Sequence, residues 1–189
     1  MRISLIQSSH NAIGSVYILH DYLYNKNYLN RLKELVNKAI EEEPIDKLVN
    51  VHAKTTNWDK LLKVEEMKNF HTRILDTLIN IYTLRTPTPN THLKYFLNSS
   101  WGMKHKKGDY TIEHHHAPVA WSGAFYFEVP SDTFMTFPDF NQSLQIKENM
   151  LIFFPGITKH SVSTHTSDKE RISMAFNIDW HNQNIRGEK

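Results

Sequence analysis

A mainly β fold with N-terminal helices is what this sequence predicts, and three observations carry that expectation. Two amphipathic stripes at helical spacing lie in the first half of the chain. After residue 90 nothing keeps a helical period, and eight short β-like runs follow one another. Turn residues separate those runs at nearly even spacing, the pattern of a sandwich or barrel of the jelly-roll type. The expected architecture is two α-helices buttressing a C-terminal antiparallel β-roll.

Taken in order, Ile3 to Leu19 is rich in β-branched and aromatic residues and reads as one or two short strands. From Asn25 to Glu43, Leu29, Leu32, Val36, Ala39 and Ile40 recur on one face opposite Lys and Glu, and Pro44 follows as a stop. A second helix is expected from about Asp59 to Tyr82, with Met67, Phe70, Ile74, Leu75 and Leu78 as its buried stripe. Thr86-Pro87-Thr88-Pro89-Asn90 is a turn-rich break. The β-like runs are His92–Trp101, Tyr110–His116, Trp121–Val129, Phe134–Phe137, Ser143–Ile146, Met150–Phe154, His160–Thr164 and Arg171–Ile178. Segments such as Lys107-Gly108-Asp109, Pro138-Asp139 and Pro155-Gly156 turn the chain between them.

At 189 residues the chain fits one domain at about 150 residues per domain, 1–189. Residues 1–90 would supply strands and the helical buttress, and 91–180 the β-roll core. With no cysteine, a disulfide framework, a thiolate zinc site, an iron–sulfur cluster and a Cys nucleophile are excluded. A reducing, cytoplasmic compartment is expected. The formal net charge of +2 is too small a bias to argue for nucleic acid, and no apolar run suits a signal or a membrane span. The composition singles out histidine, with twelve residues, several of them clustered.

Glu113-His114-His115-His116 holds the first cluster. On a strand, residues two apart share a face, so His114 and His116 project together as a two-imidazole metal platform, with His115 pointing the other way. His160, opening a strand after the Pro155-Gly156 turn, offers a third ligand. Arg171 and Ser173 are again two apart on the last strand. Three protein ligands on one face of an octahedral Fe(II) leave three positions for a chelating co-substrate and dioxygen. A co-substrate with a remote carboxylate suits a guanidinium fork at the far end of its pocket. The residues themselves thus describe a metal platform and an anion clamp.

Gly108-Asp109-Tyr110, His114-x-His116, Ser122-Gly123-Ala124-Phe125-Tyr126, Phe153-Phe154-Pro155, His160 and Arg171-x-Ser173-x-Ala175-Phe176-Asn177 occur in that order. The set resembles the 2-oxoglutarate and iron(II)-dependent oxygenases, over about residues 95 to 180. The resemblance implies a double-stranded β-helix (cupin-like) core, iron, 2-oxoglutarate as co-substrate and a dioxygenase, a hydroxylase of unknown substrate. It makes His114, His116 and His160 the metal ligands. Arg171 and Ser173 would bind the C5 carboxylate of 2-oxoglutarate, and Tyr110 would hydrogen-bond the co-substrate or pack the barrel. The chain departs from the superfamily's usual His-x-Asp or His-x-Glu, which occurs nowhere in it. Three-His sites also suit zinc, nickel and copper.

Other readings stand beside these. A three-His cupin-type metalloenzyme would bind its substrate directly to the metal, with Arg171 on that substrate's acid group. A non-catalytic β-roll binding module would need neither. The His run can be a solvated turn, His165 competes with His160 as the distal ligand, and Arg171 can be an exposed edge charge. Trp101, Trp121 and Phe125 either wall a pocket or fill the roll, and Lys104-His105-Lys106-Lys107 reads as a solvated hairpin before a phosphate-binding patch. The expected partners are dioxygen and a small-molecule or protein substrate, without membrane or nucleic acid, and a homodimer stays open.

Overall fold

The computed structural model describes residues 2–7, 14–46, 49–85 and 92–182. It opens with strands β1 (Arg2–Gln7) and β2 (Ser15–His20), helix α1 (Lys26–Glu42), and short strands β3 (Val51–His52) and β4 (Lys54–Thr55). Helix α2 (Lys68–Arg85) leads to β5 (Leu93–His105), β6 (Tyr110–His114), β7 (Trp121–Glu128) and β8 (Phe134–Phe137). Strands β9 (Gln142–Gln145), β10 (Leu151–Pro155), β11 (His160–Val162) and β12 (Arg171–Asn182) complete it. The expected break at 86–90 lies outside the described residues.

Helix α1 matches its expectation and has an identifiable start. Asn25 is extended and its Oδ1 accepts the backbone N–H of Tyr28 at 3.1 Å, satisfying one orphan donor of the first turn. The face Leu29, Leu32, Leu35, Val36, Ala39 and Ile40 is buried. The second helix begins later than its periodicity suggests. Lys60–Lys63 and Glu65–Met67 form 3₁₀ turns, separated by Val64 in an extended conformation, and the α-helix starts only at Lys68. Met67, Phe70, Ile74 and Leu78 are buried as expected, and Leu75 partly so.

The strands form two antiparallel sheets, one of seven in the order β1-β2-β10-β7-β12-β5-β4 and one of five in the order β3-β6-β11-β8-β9. Strands from the first 90 residues complete both sheets, since β2 pairs with β10, β4 with β5 and β3 with β6. Side-chain alternation builds three layers. On β7 and β12, Phe125, Phe127, Met174 and Phe176 pack with Leu32, Val36, Phe70 and Leu78 of the helices. Ser122, Ala124, Tyr126, Arg171, Ser173 and Ala175, on the alternate positions, face the space between the sheets. This is the jelly roll the sequence predicts, with both helices on the outer face of its larger sheet. Helix α1 approaches β5 so closely that a Cβ on Gly102 would stand 2.9 Å from Val36. Among the described residues no helix is long and apolar enough to cross a membrane.

Several expected strand limits move, β12 running on to Asn182 and β11 ending at Val162, and two further shifts bear on the site. Strand β5 extends past Trp101 to His105, because β12 pairs with it along its whole length, from Arg171↔His105 to Asn182↔Leu93. Strand β6 stops at His114, so His116 lies just beyond it.

Candidate metal centre and its pocket

The three imidazoles expected to bind metal converge. His114 and His160 are cross-strand partners on β6 and β11, and their ring centroids lie 4.3 Å apart. His116 comes within 4.9 Å of His114 and 5.2 Å of His160. It reaches this position from the loop after β6, which is tied to the loop before β11: the His116 N–H donates to the carbonyl of Gly156 at 2.7 Å. Gly156 itself must be glycine, because a Cβ would overlap the backbone of Val119. His115 is exposed, and its Nδ1 accepts from the Ala117 N–H at 3.2 Å.

Hydrogen bonding prepares two of these rings for a cation. Nδ1 of His114 donates to the carbonyl of Ile112 at 2.8 Å, and Nδ1 of His160 donates to the carbonyl of Thr158 at 3.1 Å. A carbonyl only accepts, so Nδ1 carries the proton and the Nε2 lone pair is left for a ligand bond. Burial lowers the pKa of all three, His116 to about 3 and His160 well below its usual value, and their mutual repulsion adds to this. Neutral imidazole is the ligating form. One ligand atom from each residue lies within 4.8 Å of the others. On one face of an ion, bonds of about 2.1 Å place the nitrogens ~3 Å apart, so closing on it takes side-chain movement on the order of an ångström in each ring.

The histidines line a cavity between the sheets. Arg171 and Ser173 line the same cavity, and Arg171 is 1 % exposed. This overturns the reading of Arg171 as an edge charge. Its Nη1 donates to Thr133 Oγ1 at 3.2 Å, while its Nε has no partner among the described residues. No Asp or Glu lines the cavity, and Arg171 forms no salt bridge among the described residues. Burial lowers its pKa, partly offset by Tyr126 and Asp109, and a guanidinium stays charged under such a shift.

Tyr110 does not join the pocket. Strict alternation back from His114 would turn residues 112 and 110 inward with it. A β-bulge breaks that parity: His160 pairs with His114, but Val162 pairs with Thr111, leaving one extra residue in β6. Thr111 therefore lines the cavity, while Tyr110 is 36 % exposed and stacks on His52 with centroids 4.4 Å apart. His165 is likewise no ligand, since its Nε2 donates to the carbonyl of Lys169 at 2.7 Å and its Nδ1 meets Ser131 Oγ at 3.3 Å.

Two cavity residues, and one partner of Arg171, escape the sequence reading. Tyr126 sits inside the quoted Ser-Gly motif, on the same face as Ser122 and Ala124. His105 falls in a segment that reads as a solvated hairpin, yet it is buried, because the alternation Trp101, Met103, His105 runs to the end of β5. Thr133 lies in the loop before β8, where no periodicity marks it. Of the undecided aromatics, Trp101 walls the cavity, whereas Trp121 packs on Tyr17 and Phe125 on Phe70. Lys104 and Lys107 pair with Glu41 and Asp168, at 2.7 and 2.9 Å.

No family model and no curated protein sequence matches this chain. Solved structures do. A viral collagen prolyl hydroxylase of Paramecium bursaria Chlorella virus-1, in complex with 2-oxoglutarate, is 17% identical with a TM-score of 0.64, over 86% of this chain and 94% of that one. A prolyl-4-hydroxylase of Pseudomonas putida is 14% identical with a TM-score of 0.64, over 89% and 94%. A non-haem α-ketoglutarate-dependent epimerase of nogalamycin biosynthesis is 14% identical with a TM-score of 0.68, over 90% and 82%. Likeness at these identities establishes a shared fold.

Proposed function

We propose that this protein is a non-haem iron(II)- and 2-oxoglutarate-dependent dioxygenase that hydroxylates its substrate. One observation carries the reading: a buried guanidinium without a carboxylate partner among the described residues shares a cavity with three converging imidazoles. An unpaired buried cation is costly, so the cavity is built for an anion. A ligand that chelates a metal at one end and presents a carboxylate at the other satisfies both ends, and a 2-oxo dicarboxylate is such a ligand.

Iron(II) and 2-oxoglutarate, when bound, supply dioxygen-driven oxidative decarboxylation to succinate and carbon dioxide, coupled to oxidation of a substrate C–H bond. The chain's part is binding, orientation and exclusion. His114, His116 and His160 would hold the ion and leave three coordination positions free. With neutral ligands the ion keeps its +2, the Arg171 guanidinium makes +3, and a dianion lowers the total to +1. Arg171 would grip the remote carboxylate with its fork, and the Ser173 hydroxyl would add one hydrogen bond. Trp101, Met103, Met135 and Phe154 wall the space between and keep water from it. Hydroxylation is the outcome we favour because two of the structures sharing this fold are prolyl hydroxylases. A reducing cytoplasm, where iron stays ferrous, suits such a site.

Anaerobic addition of Fe(II) and 2-oxoglutarate tests the reading. A weak visible charge-transfer band that needs both components is expected. No band would contradict it. A band raised instead by a chelating substrate without 2-oxoglutarate would support a three-His enzyme whose substrate binds the metal directly.

A further inference from the structure

We infer that His105 is a second contact to the remote carboxylate of the co-substrate, acting beside Arg171; this rests on the oxygenase reading above. The two residues are directly opposite each other on β5 and β12. Both side chains enter the cavity, and His105 is 2 % exposed. Their neighbours point away: Gly102 lies under α1 and Lys104 reaches Glu41.

Among the described residues neither ring nitrogen of His105 has a hydrogen-bond partner, and neither does Nε of Arg171. A neutral imidazole needs an acceptor for one nitrogen and a donor for the other, and leaving both unmet in a buried place is costly. Two other buried histidines show what a structural role looks like in this fold. His71 reaches Ser100 Oγ at 3.1 Å, and His165 engages both nitrogens, with Ser131 and Lys169. His105 has no such attachment. The groups that bear on it electrostatically are Arg171 and His165, and both oppose its protonation, as burial does more strongly. The ring is therefore neutral and offers one N–H.

The missing partner is an acceptor-rich group between His105 and Arg171. A carboxylate has about four lone-pair sites, enough for a two-pronged guanidinium and one imidazole N–H together. Such a pair also discriminates. It favours 2-oxo acids that carry a second carboxylate over those that carry only the chelating head.

Calorimetric titration of anaerobic Mn(II)-loaded protein tests this with two probes, 2-oxoglutarate and 2-oxobutyrate, which lacks the terminal carboxylate. His105→Leu is expected to weaken 2-oxoglutarate by ~10- to 100-fold, the range of one hydrogen bond to a charged group. Binding of 2-oxobutyrate is expected to stay unchanged, and His105→Gln, which keeps an N–H, to recover part of the loss. Mn(II) content and a melting curve establish that each variant folds. In Zn(II)-loaded wild type, which needs no variant, 2-oxoglutarate is expected to shift the His105 imidazole resonances while 2-oxobutyrate leaves them in place. Equal loss for both probes, wild-type affinity in His105→Leu, or unmoved resonances with 2-oxoglutarate bound would overturn the assignment. If Arg171→Ala loses 2-oxoglutarate and His105→Leu does not, the His105 contact alone fails. If wild type binds neither probe, the oxygenase reading fails and takes this contact with it.

Discussion

His114 and His160 are directly opposed on neighbouring antiparallel strands, each fixing its ring by an Nδ1 hydrogen bond to the carbonyl two residues before it. Their Nε2 atoms are therefore left for a ligand bond, and His116 closes the group from a loop. Replacing His114, His116 or His160 by Ala is expected to abolish tight binding of Fe(II) or Mn(II). His115→Ala is expected to keep it, because that ring points to solvent. Metal analysis of the four purified variants checks this. Loss of metal from His115→Ala with retention in His114→Ala would put the wrong ring in the site.

What was legible in the sequence follows from periodicity. The stripe Leu29 to Ile40 and the inward pair Arg171 and Ser173 sit where period 3.6 or period 2 places them, while His116 joins His114 from the loop just past the strand. Three kinds of feature were not legible. One extra residue in β6 reverses the parity between His114 and Tyr110, and a bulge leaves no local composition signal. His105 sits between Lys104 and Lys106, and those charges suggest an exposed turn, whereas pairing with β12 draws the ring inside. Strands β3 and β4 are two residues each, too short for any pattern, and exist only because sheet neighbours are present. Val64 interrupts the second helix where the apolar spacing alone reads as continuous.

The helices act as a buttress through one continuous apolar layer. Leu32 is fully buried there, beside Phe70, Phe125 and Phe176 in the same cluster, and supplies no polar group. Leu32→Ala is expected to cost ~2–5 kcal/mol of stability. Leu84→Ala, at a position 85 % exposed on α2, is expected to stay within ~0.5 kcal/mol of wild type. Urea unfolding of both variants is the check, and equal stabilities would show that α1 does not pack as described.

Stability should also depend on His71. Burial on α2 lowers its pKa from 6.5 to about 4. Between those values the unfolded chain holds more protons than the folded one, so stability falls as the pH drops through this window and levels off below it. From pH 7 to pH 5 the loss from this residue is about 2 kcal/mol. His71→Gln should remove that increment while keeping a group able to reach Ser100. The difference between wild-type and variant unfolding free energies, measured at pH 7 and pH 5, reads it directly; an identical pH dependence would assign the titration elsewhere.

In the proposed function, Arg171 and the three histidines bind the two ends of one dianion. Calorimetric titration of 2-oxoglutarate into anaerobic Mn(II)-loaded wild type, Arg171→Ala and Arg171→Lys tests it most directly. All three proteins should hold the metal, because no ligand is lost. Arg171→Ala should weaken 2-oxoglutarate by ~30- to 5000-fold, the equivalent of 2–5 kcal/mol for truncating one partner of a buried charge pair. Arg171→Lys should recover only part of this, since an ammonium lacks the two-pronged fork. Equal affinity in wild type and Arg171→Ala, or no binding to either, would contradict the account and leave a three-His centre whose ligand binds without the guanidinium.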